Sequence, residues 1–175
     1  MMKYYVRKIT LTKFPKPPQT SYEIPLLKAD AVADIRTYND GLSIWEIESD
    51  SADAIDKAIL ALVTSSKQNK FDKIDVVVFS EDDIASRGLL LEKENGDTAV
   101  FDLRETHHNI VGLTYGSLSK VLEMISNITI KGKFIRRDGE QVKSLIRDNF
   151  DKIDLDSFRS EDIKTTIKRL AGENV

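Results

Sequence analysis

The sequence predicts an α+β (or α/β) fold with a small mixed β-sheet, one parallel β-α-β crossover, a long amphipathic helix and a C-terminal helical appendage. Two strand-like segments, residues 42–47 and 74–79, flank a helical segment that begins at Ser51. This order favours a right-handed parallel crossover between the two strands. Residues 102–128 carry apolar side chains at helical spacing and predict the long helix.

Length and composition are typical of a folded globular chain. The 175 residues are 41% hydrophobic and 31% charged, and none is cysteine. The lack of cysteine excludes disulfides, cysteine nucleophiles and thiolate zinc sites. The N-terminus lacks the apolar core of a signal peptide, and no segment reaches the roughly 18 apolar residues of a membrane span. We therefore expect a soluble cytoplasmic protein that does not bind membranes.

The N-terminal part predicts two strands with a short helix between them. Residues 4–9 are rich in aromatic and β-branched side chains and predict the first strand. Four prolines between residues 15 and 25 keep the following segment extended. Residues 28–35 predict a short helix, and a turn at residues 39–41 leads into the strand of residues 42–47, whose two faces are both apolar.

The middle of the chain predicts the helix of the crossover, a short helix and a hairpin. An amphipathic helix begins at about residue 51, with Asp50 or Ser51 as its N-cap. Residues 80–83 have the spacing of a capping box and predict a short helix that Gly88 ends. Residues 89–92 and 98–101 are joined across an Asn-Gly pair and predict a hairpin.

The C-terminal part predicts helices only. After the long helix of residues 102–128, Asp138 opens a helix that runs to about residue 150, and Ser160 opens a last one. We therefore divide the chain into an α/β core domain, residues 1–130, and a C-terminal helical appendage, residues 131–175, packed on the core or loosely tethered to it.

The two histidines of the chain, His107 and His108, are adjacent and fall in the predicted long helix. A rotation of about 100° per residue directs His107 towards the apolar stripe of that helix. This favours a packed histidine whose ring nitrogens bond to the backbone or a neighbouring acid, over a catalytic one.

On the same helix His108 shares a polar stripe with four other residues: Arg104, Gly112, Tyr115 and Ser119. A guanidinium, an imidazole and two hydroxyls on one face suit the binding of an anion or the exchange of protons. Arg104 and His108 are therefore candidate binding residues, and His108, Tyr115 and Ser119 are candidate catalytic residues. The alternative is a polar flank that packs against a loop.

No metal or cofactor is predicted. Adjacent histidines on a helix diverge, whereas helical metal pairs use spacings of three or four residues. Glu105 and His108 would supply half of such a site, and the sequence offers no second half. No glycine-rich phosphate loop and no nucleophile-elbow spacing is present.

Charge is distributed unevenly along the chain. Residues 1–28 hold six basic and one acidic residue, residues 29–109 hold eight and eighteen, and residues 110–175 hold twelve and ten. Internal charge complementarity with a solvated surface is the favoured explanation, because a nucleic-acid-binding domain is usually basic overall; contact of the basic ends with nucleic acid or an acidic partner is the alternative. The best candidate for such a contact is a basic run: Lys131, Lys133, Arg136 and Arg137. A loop charged for solubility is the favoured explanation of that run.

In the order of its elements the chain resembles ADP-ribosyltransferase-like toxins. A basic first strand, Arg36, a strand that carries Ser43, a helix and a buried strand follow one another in that order. The resemblance is one of element order and includes no complete motif of the family. It implies a split sheet and an ADP-ribosyltransferase-like activity.

Two functions follow from these patterns. The first is a small intracellular interaction module without catalysis of its own. It binds another macromolecule, such as a toxin, a defence-system component or part of a nucleic-acid complex. A protein partner is favoured, and nucleic acid is the other partner considered. The second is an enzyme with an anion-binding pocket beside the long helix, where His108 is the acid or base and Arg104 or Arg36 binds the substrate.

Overall fold

The computed structural model describes residues 2–20, 26–35 and 37–173 and shows an α+β fold around one six-stranded sheet. Every pair of neighbouring strands is antiparallel. The strands are β1 (Tyr4–Ile9), β2 (Leu42–Ile47), β3 (Ile74–Ser80), β4 (Leu90–Lys93), β5 (His107–Val111) and β6 (Phe134–Arg137). Their order across the sheet is β4-β5-β2-β1-β3-β6.

Helices cover both faces of this sheet. They are α1 (Asp30–Asp34), α2 (Ala52–Val63), α3 (Glu81–Ala85), α4 (Tyr115–Ile130), α5 (Gly139–Asp148) and α6 (Glu161–Leu170), with short 3-10 turns at Leu11–Lys13, Phe101–Thr106, Phe150–Lys152 and Leu155–Ser157. Within the described ranges, none of these helices has the length and apolar character that a membrane crossing requires.

The mixed α and β content is confirmed, but the predicted parallel pair is wrong. β2 and β3 run in the same direction because both are antiparallel to β1, which lies between them. The crossover through α2 therefore connects two strands that do not bond to each other. The local pattern of β2, α2 and β3 predicted their direction, whereas the insertion of the N-terminal strand is a long-range pairing that no local pattern reports.

The predicted long helix of residues 102–128 is also wrong in its first half. Residues 101–106 form a 3-10 turn, residues 107–111 form β5, and α4 begins only at Tyr115. Gly112 has a positive φ of 64°, which ends the strand, and Thr114 caps α4 in a capping box with Ser117. The apolar spacing after residue 117 belongs to α4, and its extension back through Val111 was coincidental.

The predicted hairpin between residues 89–92 and 98–101 is not formed. β4 pairs with β5 instead, and Val100 makes only an isolated bridge to Ile153. The Asn-Gly pair at residues 95–96 thus lies in a longer loop between β4 and the 3-10 turn. This loop bounds the candidate site described below.

Two apolar clusters hold the layers together. One lies under α2, α5 and α6, and the other lies under α4 with α1 and α3. The C-terminal segment joins the first cluster through Ile146 and Ile167, which are fully buried, and it adds β6 to the sheet beside β3. The core and the C-terminal helices therefore share buried surface.

We predict that Ile146→Ala destabilises the sheet as well as α5. Ile146 is 0% exposed, and truncating a buried isoleucine to alanine costs about 2–5 kcal/mol in free energy of unfolding. Trp45, the single tryptophan, lies in β2 and reports on the sheet. Urea unfolding followed by Trp45 fluorescence measures the effect, with the exposed Val32→Ala as the matched control. An unchanged Trp45 midpoint, with a separate transition by circular dichroism, would contradict the shared core.

Candidate functional site

A polar cleft of about 850 Å³ opens on the face of the sheet that α2 covers. It lies beyond the C-terminal end of α2, where the helix no longer shields β1, β2 and β5. The residues that line it include Lys8, Tyr38, Ser43, Trp45, Lys67, Glu92, Glu94, Asn95, Asp97, His107, Asn109 and Val111. They come from four adjacent strands, from the loop after β4, and, for Tyr38 and Lys67, from the segments before β2 and after α2, so the sheet itself forms the floor.

The floor of the cleft holds a hydrogen-bonded serine and histidine. Ser43 on β2 faces Asn109 across the strand pair, and His107 is the diagonal neighbour on the same face. The Oγ atom of Ser43 lies 2.6 Å from Nε2 of His107, and Nδ1 of His107 lies 3.0 Å from the carbonyl oxygen of Glu94. A carbonyl oxygen only accepts, so Nδ1 donates to it, and in the neutral ring Nε2 accepts the Ser43 hydroxyl proton.

Burial favours the neutral form of His107. The residue is 8% exposed, and desolvation lowers the pKa of its imidazole below the ordinary value. The hydrogen bond to the Glu94 carbonyl opposes this shift without cancelling it. The ring is therefore neutral at pH 7, the state in which Nε2 can accept a proton.

Close packing fixes the imidazole in this orientation. The ring of His107 meets the ring of Trp45 edge to face, with centroids 5.1 Å apart. Gly96 closes over both residues: a Cβ atom there would lie 2.4 Å from Cη2 of Trp45 and 2.8 Å from Cβ of His107. Only glycine fits this position without moving the loop. The buried Nε1 of Trp45 has no hydrogen-bond partner among the described residues.

The loop that carries the Glu94 carbonyl is tied to the end of α2. The carboxylate of Asp97 accepts hydrogen bonds from Oγ of Ser65 at 2.9 Å and from the backbone and hydroxyl of Ser66 at 3.1 and 3.0 Å. Burial opposes ionisation of Asp97, but these hydrogen bonds outweigh it and lower the pKa of the carboxyl. Arg104 helps from the other side, since its backbone oxygen accepts from Gly96 N at 2.8 Å.

Ser43 is held from the opposite face of the sheet. Nη1 of Arg7 on β1 donates to the backbone oxygen of Ser43 at 2.7 Å. Burial lowers the pKa of the Arg7 guanidinium to about 10, while nearby Asp34 opposes the shift, so Arg7 stays charged at pH 7. The bond fixes the backbone from which the Ser43 hydroxyl projects.

The walls of the cleft carry charges of both signs. Lys8 and Lys67 supply two cations, whereas Glu92, Glu94 and Asp97 supply three carboxylates. Asn109, next to Ser43 on the floor, donates to Oε2 of Glu94 at 2.5 Å. The arrangement offers donors and acceptors to a polar ligand without a large excess of positive charge.

The polar stripe predicted from the sequence does not exist, because its residues are divided among a 3-10 turn, β5, the turn at Gly112 and α4. His108 projects from the other face of β5, with Nε2 3.3 Å from Glu46 and its ring against Tyr5. Tyr115 is 93% exposed at the start of α4, and the Ser119 hydroxyl donates within its own helix.

Arg104 lies outside the cleft, next to the C-terminal segment. Its guanidinium donates to the backbone oxygen of Thr98 at 3.0 Å and to Ser157 Oγ at 3.1 Å. It joins the 3-10 turn before β5 to the C-terminal segment. Neither Arg104 nor His108 nor Tyr115 lines the cleft.

The fold separates the four residues of the predicted basic run into two pairs with different neighbours. Arg136 forms two hydrogen bonds with the nearly buried Asp75, at 2.6 and 3.0 Å, and Arg137 pairs with Asp56 on α2 at 2.8 Å. Lys131 and Lys133 lie together beside Arg87 at the far end of α4. Arg36 lies outside the described residues.

Sequence reasoning predicted the packing of His107 but not its pairing with Ser43. The predicted burial of His107, with a ring nitrogen bonded to the backbone, is confirmed, although the residue lies on a strand. Ser43 entered only through the resemblance in element order, and its role beside His107 was missed. The two residues are 64 positions apart in the chain, and only the pairing of β2 with β5 brings them together.

Comparisons with known proteins add no further guidance: no family model, no curated protein and no solved structure matches this chain. Among the described residues, no three His, Asp or Glu side chains lie close enough together to hold a metal ion. The interpretation of the cleft therefore depends on its own geometry.

We predict that His107 makes the protein less stable in mild acid. Its pKa is lowered in the folded state, so between that value and the unfolded value of about 6.5 the unfolded chain binds more protons. The contribution to stability is full above about pH 6.5 and is lost as the pH falls through the folded pKa. His107→Gln should remove this part of the pH dependence, measured by urea unfolding from pH 5 to 8. His108→Gln is the control, and an unchanged slope in His107→Gln would contradict the prediction.

Proposed function

We propose that the cleft binds a small polar ligand and that the Ser43–His107 pair on its floor is the anchoring group. The observation that carries this proposal is the oriented pair itself, in which the Glu94 carbonyl fixes the imidazole and the half-buried Ser43 lines the cleft. Buried, pre-oriented polar groups on the wall of an open cavity are typical of ligand sites.

The size of the cleft supports this proposal. Sites for small molecules usually have volumes of about 300–1,000 Å³, and this cleft has about 850 Å³. Its floor belongs to the central strands, and the loop at its edge is anchored by Asp97. A rigid floor lowers the entropic cost of binding because fewer groups must be ordered.

The charges of the cleft indicate the class of ligand. Three carboxylates against two lysines disfavour a phosphate dianion, since the net charge of the walls would repel it. A neutral or zwitterionic compound satisfies both signs, with its carbonyl near Lys8 or Asn109 and its amine near Glu92 or Asp97. We therefore propose an amide, ester or amino-acid-like ligand, in place of the anion expected from the polar stripe.

We predict that such ligands stabilise the protein against heat. The probes are amino acids, N-acetylated amino acid amides and short peptides, with AMP and inorganic phosphate for comparison. A ligand at a hundredfold excess over its Kd adds about 2.7 kcal/mol in free energy of unfolding, which raises the Tm by several degrees. Asn109→Ala should abolish the shift, whereas Asn127→Ala on the other face should retain it. Stabilisation by the phosphates alone would overturn the assignment of the ligand class.

A second candidate function, the interaction module that binds a macromolecule, is favoured by apolar side chains at the mouth of the cleft. Tyr38 lines the cleft and is 84% exposed, and Leu90 on the edge strand β4 is 66% exposed opposite Val111, another lining residue. Exposed aromatic and aliphatic groups beside a polar pocket are typical of protein interfaces. In this second candidate, a polar segment of the partner enters the cleft and the apolar rim packs against it.

We predict that a protein partner captured through this surface is lost on Tyr38→Ala and on Leu90→Arg. Tagged wild-type protein and both variants are compared in the native host, and eluates are analysed by mass spectrometry and for nucleic acid. Phe101→Ala, which removes another exposed aromatic side chain, is the control. A partner that both rim variants retain would place the interface elsewhere, and retention of nucleic acid alone would favour the basic C-terminal segment.

A further inference from the structure

We propose further that Ser43 is a nucleophile, that His107 is its general base, and that the cleft accepts acyl compounds, namely carboxylic esters or amides. This inference rests on the proposed ligand-binding role of the cleft and adds chemistry to it. Nucleophilic serines are recognised by geometry, in which a base within hydrogen-bond reach is itself oriented by a third group.

The nucleophile, the base and the group that orients the base are all present. The Ser43 hydroxyl lies 2.6 Å from Nε2 of His107, within the range for proton transfer to a base. The backbone oxygen of Glu94 accepts from Nδ1 at 3.0 Å and holds the tautomer in which Nε2 is free to accept. A backbone carbonyl here takes the place that a carboxylate has in the Ser-His-Asp arrangement.

Access to the pair is one-sided. Ser43 is half-buried and lines the cleft, so a ligand reaches its Oγ from the open side. His107 is nearly buried between Trp45 and the loop at Gly96, which shields its ring from water. A base in this setting exchanges its proton with Ser43 more readily than with solvent.

The reaction needs only the substrate, water and the two side chains. The Oγ atom of Ser43 bonds to the carbonyl carbon of the substrate while its proton passes to Nε2 of His107. The bond from that carbon to the alcohol or amine then breaks, and His107 returns the proton to the leaving group. Water repeats the two steps on the acyl-serine: its proton passes to His107, its oxygen bonds to the acyl carbon, and Ser43 leaves with the proton.

Two neighbours of Ser43 are placed to bind the developing oxyanion. Lys8 on β1 and Asn109 on β5 come from the two strands that flank β2, and both line the cleft. Hydrogen-bond donors beside the reacting carbonyl stabilise its negative charge. The same cleft suits phosphoryl transfer poorly, because three carboxylates face a substrate that would bring further negative charge.

The test is covalent labelling with a neutral alkyl fluorophosphonate, which reacts with activated serines and releases fluoride. Intact-protein mass spectrometry should show one phosphonyl adduct on the full chain, and peptide mapping should place it on Ser43. Ser43→Ala should abolish the adduct, and His107→Gln should slow it at least about a hundredfold, the usual contribution of a general base. Ser86→Ala, at the residue that follows the distant α3, should label at the wild-type rate.

A second measurement needs no variant. The labelling rate of the wild type should fall as the pH drops through the pKa of His107, below the ordinary histidine value. The charged and titratable groups that act on that pKa are Glu94, His108 and Arg7. A rate that does not change between pH 5 and 8 would overturn the role of His107 even if His107→Gln fails to fold.

The outcomes separate this inference from the ligand-binding proposal. Stabilisation by amides with no adduct on Ser43, or with equal labelling in His107→Gln, would overturn the nucleophile and leave the binding site intact. An adduct on Ser43 that depends on His107 supports the inference even where no probe amide raises the Tm. Labelling spread over other serines would overturn it.

Discussion

The pairing of β1 with both β2 and β3 is the constraint from which the rest of the structure follows. β1 bonds along its whole length to β3 and over half of it to β2, so the N-terminal strand becomes central. With β1 between them, β2 and β3 each keep one free edge. β5 takes the edge of β2 and brings His107 beside Ser43, while β6 takes the edge of β3 and draws the C-terminal helices over α2. Both the candidate site and the closing helices depend on that insertion.

The oppositely charged segments of the chain pair with each other within the fold. Lys3, just before β1, pairs with Glu46 of β2 at 3.1 Å, and Lys13 approaches Asp34 at 3.9 Å. At the other end, Arg136 and Arg137 pair with Asp75 and Asp56. Each pair joins a basic terminal segment to the acidic middle. Ion pairs at or near the surface contribute little individually to stability, but the pattern favours internal complementarity as the reason for the segregation.

Features of the fold that depend on neighbouring residues could be predicted from the sequence, whereas those that depend on long-range pairing could not. The helix after Ser51, the strands β1, β2 and β3, and the capping boxes at Ser80 and Asp138 were all predicted, because each depends on neighbouring residues. The prediction of one long helix was wrong because apolar residues happen to keep helical spacing across β5 and the turn that follows it. The local signals that marked the break were Gly112, which has a positive φ, and Thr114, which is the N-cap of α4. Ser43 and His107 carry no local signal, since their relation arises only from strand pairing.

The separation of Ser43 and His107 in the chain has a consequence for how the protein matures. During synthesis β2 emerges well before β5, and the imidazole reaches the serine only after 64 further residues have been added. The contact is one of high sequence separation, which forms late because the intervening chain must first be ordered. A partly folded chain without the β2–β5 pairing has no imidazole beside Ser43, so the contact between the two side chains requires that pairing.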